Sequence, residues 1–412
     1  MAEKTFLITD YGAQPDTETA QTAAIQACID ACRHAGGGTI VIPGRHFTTG
    51  SIRLYSHMTL HLAAGAVLQG SRQLADYTTF GEQTDIRYLQ DPHYVREWHL
   101  PPYYFHALIC AYDAEDITIS GAPGSLIDGR SVQDPDGEEK FRGPMGIVMA
   151  RVQGLRLTGY TVTNASNWAN VLPACQDVTI SDVAVLGGHD GFDLHHARRV
   201  TMTHCRLETG DDCIAGYDIH GLTVTDCLLN TACNTLRVGG EDITVDRCAF
   251  QGPGRYPHIL DGSHATLNAF MYFTMAVDPD TTTRNTLTIR HARINHLQHL
   301  ATYLRDEPTA LQAGSSLAGL TLDDVTINDM AETSLFVGRG EPVALTLQDC
   351  RITPTAGVPL LHIDPSVRLT LKDVFFTAPT TFLVTDGPPL TFCGLTNFST
   401  SEQPHQSSRP QG

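Results

Sequence analysis

Short segments of alternating polarity recur at a nearly fixed interval in the middle of this chain. VTIS at Val178, VTMT at Val200 and LTVT at Leu222 begin 22 residues apart, and ITVD at Ile243 follows 21 later. Period-2 alternation is the mark of a strand with one face buried. A unit of this length cannot close a core of its own, so successive units must stack and bury a shared one. Stacked turns bring equivalent residues to the inter-strand spacing of about 4.8 Å. The repeat therefore predicts an all-β fold, a single right-handed parallel β-helix. It also accommodates 412 residues, because a solenoid core grows along one axis. Charged residues make up only 17% of the chain, which suits many buried faces.

Residues 1–400 are expected to form one β-helix domain. Residues 17–35 read as a capping helix: Ile25, Cys28, Ile29 and Cys32 fall on one stripe, and Gly36-Gly37-Gly38 ends it. Further strand segments begin at Thr39, Met58, Ile117 and Leu155, then at Leu287, Leu320, Leu345 and Leu369. The pattern breaks over 71–106, a long insertion rich in Tyr, Phe and Trp. Its aromatics either stack on a sugar or pack on the wall of the helix. Cys205, Cys227 and Cys248 keep the repeat and are expected to form an inward ladder. The polar stretch 401–412 is expected to be disordered.

Two acidic clusters end strand segments beside glycine: Asp190 with Asp193, and Asp211 with Asp212. Asp190, Asp212 and Asn234 are 22 apart and share one phase of the repeat. Carboxylates crowded on one face raise each other's pKa, which is costly for a purely structural surface. A hydrolase needing one protonated and one ionised carboxyl uses such crowding. Asp211 and Asp212 are adjacent, so both reach one cleft only where the backbone bends, and Gly210 is the residue expected to permit it. His189 reads as a hydrogen-bond donor to substrate or water. His195 and His196 would point opposite ways on a strand, and no metal site is expected. Relief of repulsion predicts that Asp211→Asn keeps or gains stability.

Several motifs stand in a recognisable order. DYGA begins at Asp10, GGGTIVIPG at Gly36, ITISGAPGSLIDGR at Ile117, NASNWANVLPACQDVTI at Asn164, HDGFD at His189 and GDDCIAG at Gly210. Over roughly residues 5–250 the chain resembles glycoside hydrolase family 28, the polygalacturonase-like β-helix enzymes. The resemblance implies inverting hydrolysis of an O-glycosidic bond without a cofactor. It makes Asp211 the general acid, with Asp190 and Asp212 holding and activating the water. The candidate substrate-binding residues are Trp168, His189, Asp193, Tyr217, Asn234 and Arg237.

The departures bear on the substrate. The family's Gly-His-Gly histidine falls at Cys233 by phase, or at Asn234 if Leu-x-Val-Gly-Gly is aligned. The lysine that commonly follows Gly-Asp-Asp-Cys-Ile-Ala-Ile is replaced by Tyr217, and no Arg-Ile-Lys follows. In polygalacturonases those basic groups grip a sugar carboxylate, and only Arg237 and Arg255 are candidates to replace them. The expectation is an exo-acting glycosidase of oligosaccharides that is not a true polygalacturonase. Two alternatives stay open: a β-helix lyase or epimerase with Tyr217 as base, and a tailspike-like carbohydrate-binding protein. The net charge of −18 argues against nucleic acid and anionic membrane as partners. Eleven cysteines and an N-terminus without a visible signal peptide point to the cytoplasm, although a trimmed secreted chain would read alike. Oligomeric state stays open.

Overall fold

A computed structural model describes residues 4–275, 285–305 and 314–400. The strands pair in parallel, turn upon turn, into three ladders that wrap one hydrophobic core running from Ile8 to Phe392. This is the expected parallel β-helix. The register is the one the repeat implies: Val178 pairs with Val200, Val200 with Leu222, and Leu222 with Ile243. The same column continues through Leu287, Leu320, Leu345 and Leu369, with longer excursions between turns. Alternate residues face inward, so Val200 and Met202 are buried while Thr201 between them is exposed.

The cysteine ladder is present. The Cys205 amide donates to Cys227 Sγ at 3.3 Å, and the Cys227 amide to Cys248 Sγ at 3.4 Å. All eleven cysteines are free thiols. The N-terminal helix spans Thr22–His34 and seats Ile25, Cys28, Ile29 and Cys32 on the end of the core. It starts five residues later than expected. Residues 17–21 are tied instead to the strand that carries Thr48, with Gln21 N donating to the Thr48 carbonyl and Thr48 Oγ1 to that of Thr17. At the far end, strand Leu390–Ser399 runs antiparallel to Val367–Val384 and packs Phe392 against Phe376 and Phe382, which covers the last ladder edge. The expectation for 401–412 lies outside the described residues.

The insertion lies between strands Val67–Gly70 and Ala107–Tyr112. It packs most of its aromatics on the helix wall. Tyr88 and Tyr94 are fully buried and stacked, and Tyr88 meets Trp168 and Phe273 edge-on. Burying each such ring stabilises by about 1.5–3 kcal/mol, enough to hold a long excursion in place. Among the described residues no helix is long and apolar enough to cross a membrane.

Candidate active site

The acids stand on bends between strands. Asp190 lies between Ala184–Leu186 and Phe192–Asp193; Asp211 and Asp212 lie between Arg206–Thr209 and Ile214–Thr225. A regular strand would part Asp211 from Asp212; the bend removes that constraint. It is pinned from inside, since Thr209 Oγ1 donates to the Asp211 carbonyl at 2.6 Å and Thr231 Oγ1 donates to the same oxygen. Gly210 serves close approach. A Cβ there would stand 2.4 Å from the Gly188 carbonyl oxygen and 2.6 Å from that of Pro257. Glycine lets a neighbouring turn and the loop 252–265 both close on the acids.

Backbone hydrogen bonds set the side chains in files. Ala169 N donates to Asp190 O, Gly191 N to Asp212 O, and Cys213 N to Asn234 O, at 2.8, 2.9 and 3.0 Å. Trp168, Asp190, Asp212 and Asn234 therefore form one file, with His189, Asp211 and Cys233 beside it. Three residues further along, Asp193, Ala215 and Arg237 form a third. Asn234 holds Asp212 in place, donating from its backbone at 3.2 Å and from Nδ2 at 2.7 Å to Oδ1. Its own Oδ1 accepts from Asn268 Nδ2, and Asn268 Oδ1 accepts from Thr302. This chain fixes both amides in orientation.

The environments of the carboxyls diverge. Asp190 and Asp193 are buried, and neither Asp190 Oδ1 nor either oxygen of Asp193 has a protein donor. Burial raises Asp190 well above the ordinary carboxylate range, helped by the charges of Asp211, Asp193 and Asp212. Burial and then Asp212 do the same to Asp193. Asp212 is raised by burial and by Asp211, against Arg237, whose Nη1 is 3.6 Å away. For Asp211 burial also pushes upward, but Arg142 and His258 outweigh it and hold the carboxyl well below its ordinary value. Arg142 Nη2 donates to Asp211 Oδ2 at 2.7 Å, and His258 Nε2 lies 3.7 Å from the same oxygen.

Arg142, Glu138, Glu139 and His258 carry no sequence signal, because none keeps the repeat. Arg142 is buried and donates from Nε to Glu139 at 2.7 Å, with Glu138 at 3.7 Å; Tyr104 of the insertion donates to Glu138. Of the residues read from sequence, His189, Asp190, Asp193, Asp211, Asp212 and Asn234 come together. His189 is buried, 5.7 Å from the Phe141 ring, and burial followed by the Arg142 charge holds it well below the ordinary histidine value. Trp168 and Tyr217 belong to the aromatic cluster under the insertion. Trp168 lies parallel to His195, and Tyr217 stands edge-on to His195 and Phe273. Arg237 is also buried, over Phe273 at 3.9 Å and donating to Tyr94. His195 approaches Tyr88 at 3.2 Å, whereas His196 turns to Asp218. Donor atoms of Asp211, Asp212 and Cys233 lie within 4.8 Å of one another, a spacing that could hold a cation. Arg142 and Arg237 already neutralise those two carboxyls, which opposes a divalent ion there.

Comparison with known proteins agrees with this geometry. The model of "Glycosyl hydrolases family 28" matches residues 95–233, the stretch that carries Trp168, Asp190, Asp211 and Asp212. This region belongs to glycosyl hydrolases family 28. A probable polygalacturonase of Vitis vinifera is 26% identical over 231 residues, 52% of this chain and 45% of that one. An exo-poly-alpha-D-galacturonosidase of Dickeya chrysanthemi is 49% identical over 74 residues, 18% of this chain and 12% of that one. The chain thus spans less than half the length of these relatives. The hyperthermoactive exopolygalacturonase of Thermotoga maritima shares the fold across the family 28 region and beyond. Its TM-score is 0.67 at 13% identity, over 96% of both chains.

Proposed function

We propose that this chain is an inverting glycosidase that removes sugar from the end of an oligosaccharide. One observation carries the reading: Asp190, Asp211 and Asp212 meet on adjacent turns, with their environments driven apart. Carboxyls of opposite tendency at one point are what acid–base cleavage of a glycosidic bond requires. Asp211 protonates the leaving oxygen; Asp190 and Asp212 hold the water and take its proton. Exo action is supported by the insertion, whose Tyr94 and Trp98 pack on Arg237, the cation 3.6 Å from Asp212. A small cleft between the insertion and the 134–144 loop is lined by Tyr103, His106, Arg142 and Asn167. The proton-abstraction alternative is weakened, because Tyr217 is 1% exposed within an aromatic cluster.

The sugar at the scissile bond is proposed to be neutral. Arg142 and Arg237, the two buried cations at the site, are already committed to protein carboxylates. A uronate would bring a further desolvated charge against aspartates. A galacturonoside is the second reading, favoured by the names of the relatives and by Arg255, whose side chain is 62% exposed and 3.6 Å from Glu208. Turnover compared on polygalacturonate, galacturonate oligomers and neutral plant and bacterial oligosaccharides separates them. Release of single neutral sugars from chain ends is expected. Mid-chain cleavage of polygalacturonate with no neutral sugar touched would overturn both the exo and the neutral assignment.

A further inference from the structure

Asp211 presents a proton problem. A general acid must carry a proton when the leaving oxygen departs, yet this carboxyl is the one that its neighbours hold ionised. A proton carrier stands beside it. His258 Nε2 is 3.7 Å from Asp211 Oδ2, and its Nδ1 is 3.3 Å from Asp261 Oδ1. We propose that His258 is a positioning residue of the reaction, keeping the acid's proton on its imidazole, between Asp211 and Asp261, until substrate binds. The catalytic half of this inference rests on the glycosidase reading; the pairing of His258 with Asp211 does not.

The loop that carries His258 is built to the site. Arg255 N donates to Asn230 Oδ1 at 2.6 Å, and Asn230 Nδ2 donates to the Pro253 carbonyl at 2.8 Å. Gly254 N donates to the His264 carbonyl, and the His264 ring binds the Gly254 carbonyl, which closes the loop's base. Tyr256 covers Gly187, and the Pro257 carbonyl occupies the space where a side chain at 210 would sit. The next residue is His258, half-buried with one edge open to solvent. The register of the repeat leads from Asp211 to Cys233, so this imidazole reaches the acid by a route that the 22-residue phase does not predict. The charged and titratable groups facing it are Asp211, Asp261, Arg142 and His189. The contact with Asp211 raises its pKa most, Asp261 adds to that, and burial and Arg142 oppose.

The step balances. The Nε2 proton passes to Asp211 Oδ2 as the glycosidic oxygen displaces the Arg142 contact. Asp211 then gives it to that oxygen while the bond from the anomeric carbon breaks and its electron pair leaves with the oxygen. Water forms the new bond from the opposite face and loses a proton to Asp190 or Asp212. Neutral His258 regains a proton from solvent along its open edge.

Two measurements decide it. In substrate-free protein labelled at histidine, the NMR titration of His258, assigned by its loss in His258→Gln, should have a midpoint above the ordinary value near 6.5. In Asp211→Asn that midpoint should fall by about one unit, and in Asp261→Asn by less. On whichever panel sugar the parent cleaves, His258→Gln should lower kcat by about tenfold or more, with KM unchanged and the alkaline limb of the pH–rate profile moved to lower pH. A His258 midpoint indifferent to Asp211→Asn, or a parental alkaline limb in His258→Gln, would overturn the proposal. If no sugar in the panel turns over, the glycosidase reading fails, and the titration alone still decides the pairing.

Discussion

Asp211→Asn should lower turnover by about 10²–10⁴-fold, the usual contribution of a positioned acid, and should also destabilise the fold. The amide keeps the shape of the carboxyl but has no proton to give. The stability loss follows from Arg142. Asp211 accepts a charge-assisted bond from this buried guanidinium at 2.7 Å, and such bonds contribute about 1.5–3 kcal/mol. Repulsion from the neighbouring aspartates works the other way, but Arg142 and His258 outweigh the opposing effects and hold Asp211 well below its ordinary value. The attraction therefore wins, which reverses the expectation from composition and spacing alone. The pH dependence has a definite sign. The folded-state pKa of Asp211 is depressed, so its stabilisation is full above the ordinary value of 3.8 and is lost as pH falls below it. Urea unfolding at pH 7 should show the variant less stable, with the gap closing toward pH 3. A variant as stable as the parent at pH 7 would mean that the Arg142 contact contributes nothing.

The larger loss of stability is expected for Arg142→Met. One buried guanidinium serves Glu138, Glu139 and Asp211. Removing it leaves acidic groups buried and unpaired, which costs about 3–5 kcal/mol when one partner of a buried pair is deleted. Arg142→Lys should recover part of this. An ammonium restores the charge, but it lacks the fork that reaches Glu139 through Nε and Asp211 through Nη2 at once. Urea midpoints for the three proteins check the order: parent, then lysine, then methionine. A methionine variant within about 1 kcal/mol of the parent would show that protonation of Glu138, itself raised by burial, absorbs the change.

The features that could be read from the sequence are those that obey the repeat. The column from Val178 to Ile243, the file of Asp190, Asp212 and Asn234, and the cysteine ladder all follow from one period, because parallel stacking converts a fixed interval into a fixed position. The acids' face was legible for the same reason. What escaped sits on excursions between turns. Arg142 in the 134–144 loop and His258 in the 252–265 loop reach Asp211 from 69 and 47 positions away, and no periodicity relates them to it. Gly210 was read as a hinge because glycine tolerates bends; the Pro257 carbonyl that actually requires it belongs to that same unreadable loop. The insertion's composition could not distinguish a sugar platform from a second small core, since buried and stacking aromatics look alike in sequence. Tyr88 and Tyr94 pack inward, and Tyr103 stays 37% exposed at the cleft.

The central claim is that these three aspartates cleave a glycosidic bond by a single displacement, with Asp211 as acid and a water held by Asp190 and Asp212. The most direct test is proton NMR of the reaction in its first minutes, on a sugar that the parent enzyme cleaves, before mutarotation mixes the anomers. A single displacement predicts that the first anomer released has the configuration opposite to that of the bond cleaved. Release with retained configuration would require a covalent intermediate and would contradict the roles assigned to all three residues.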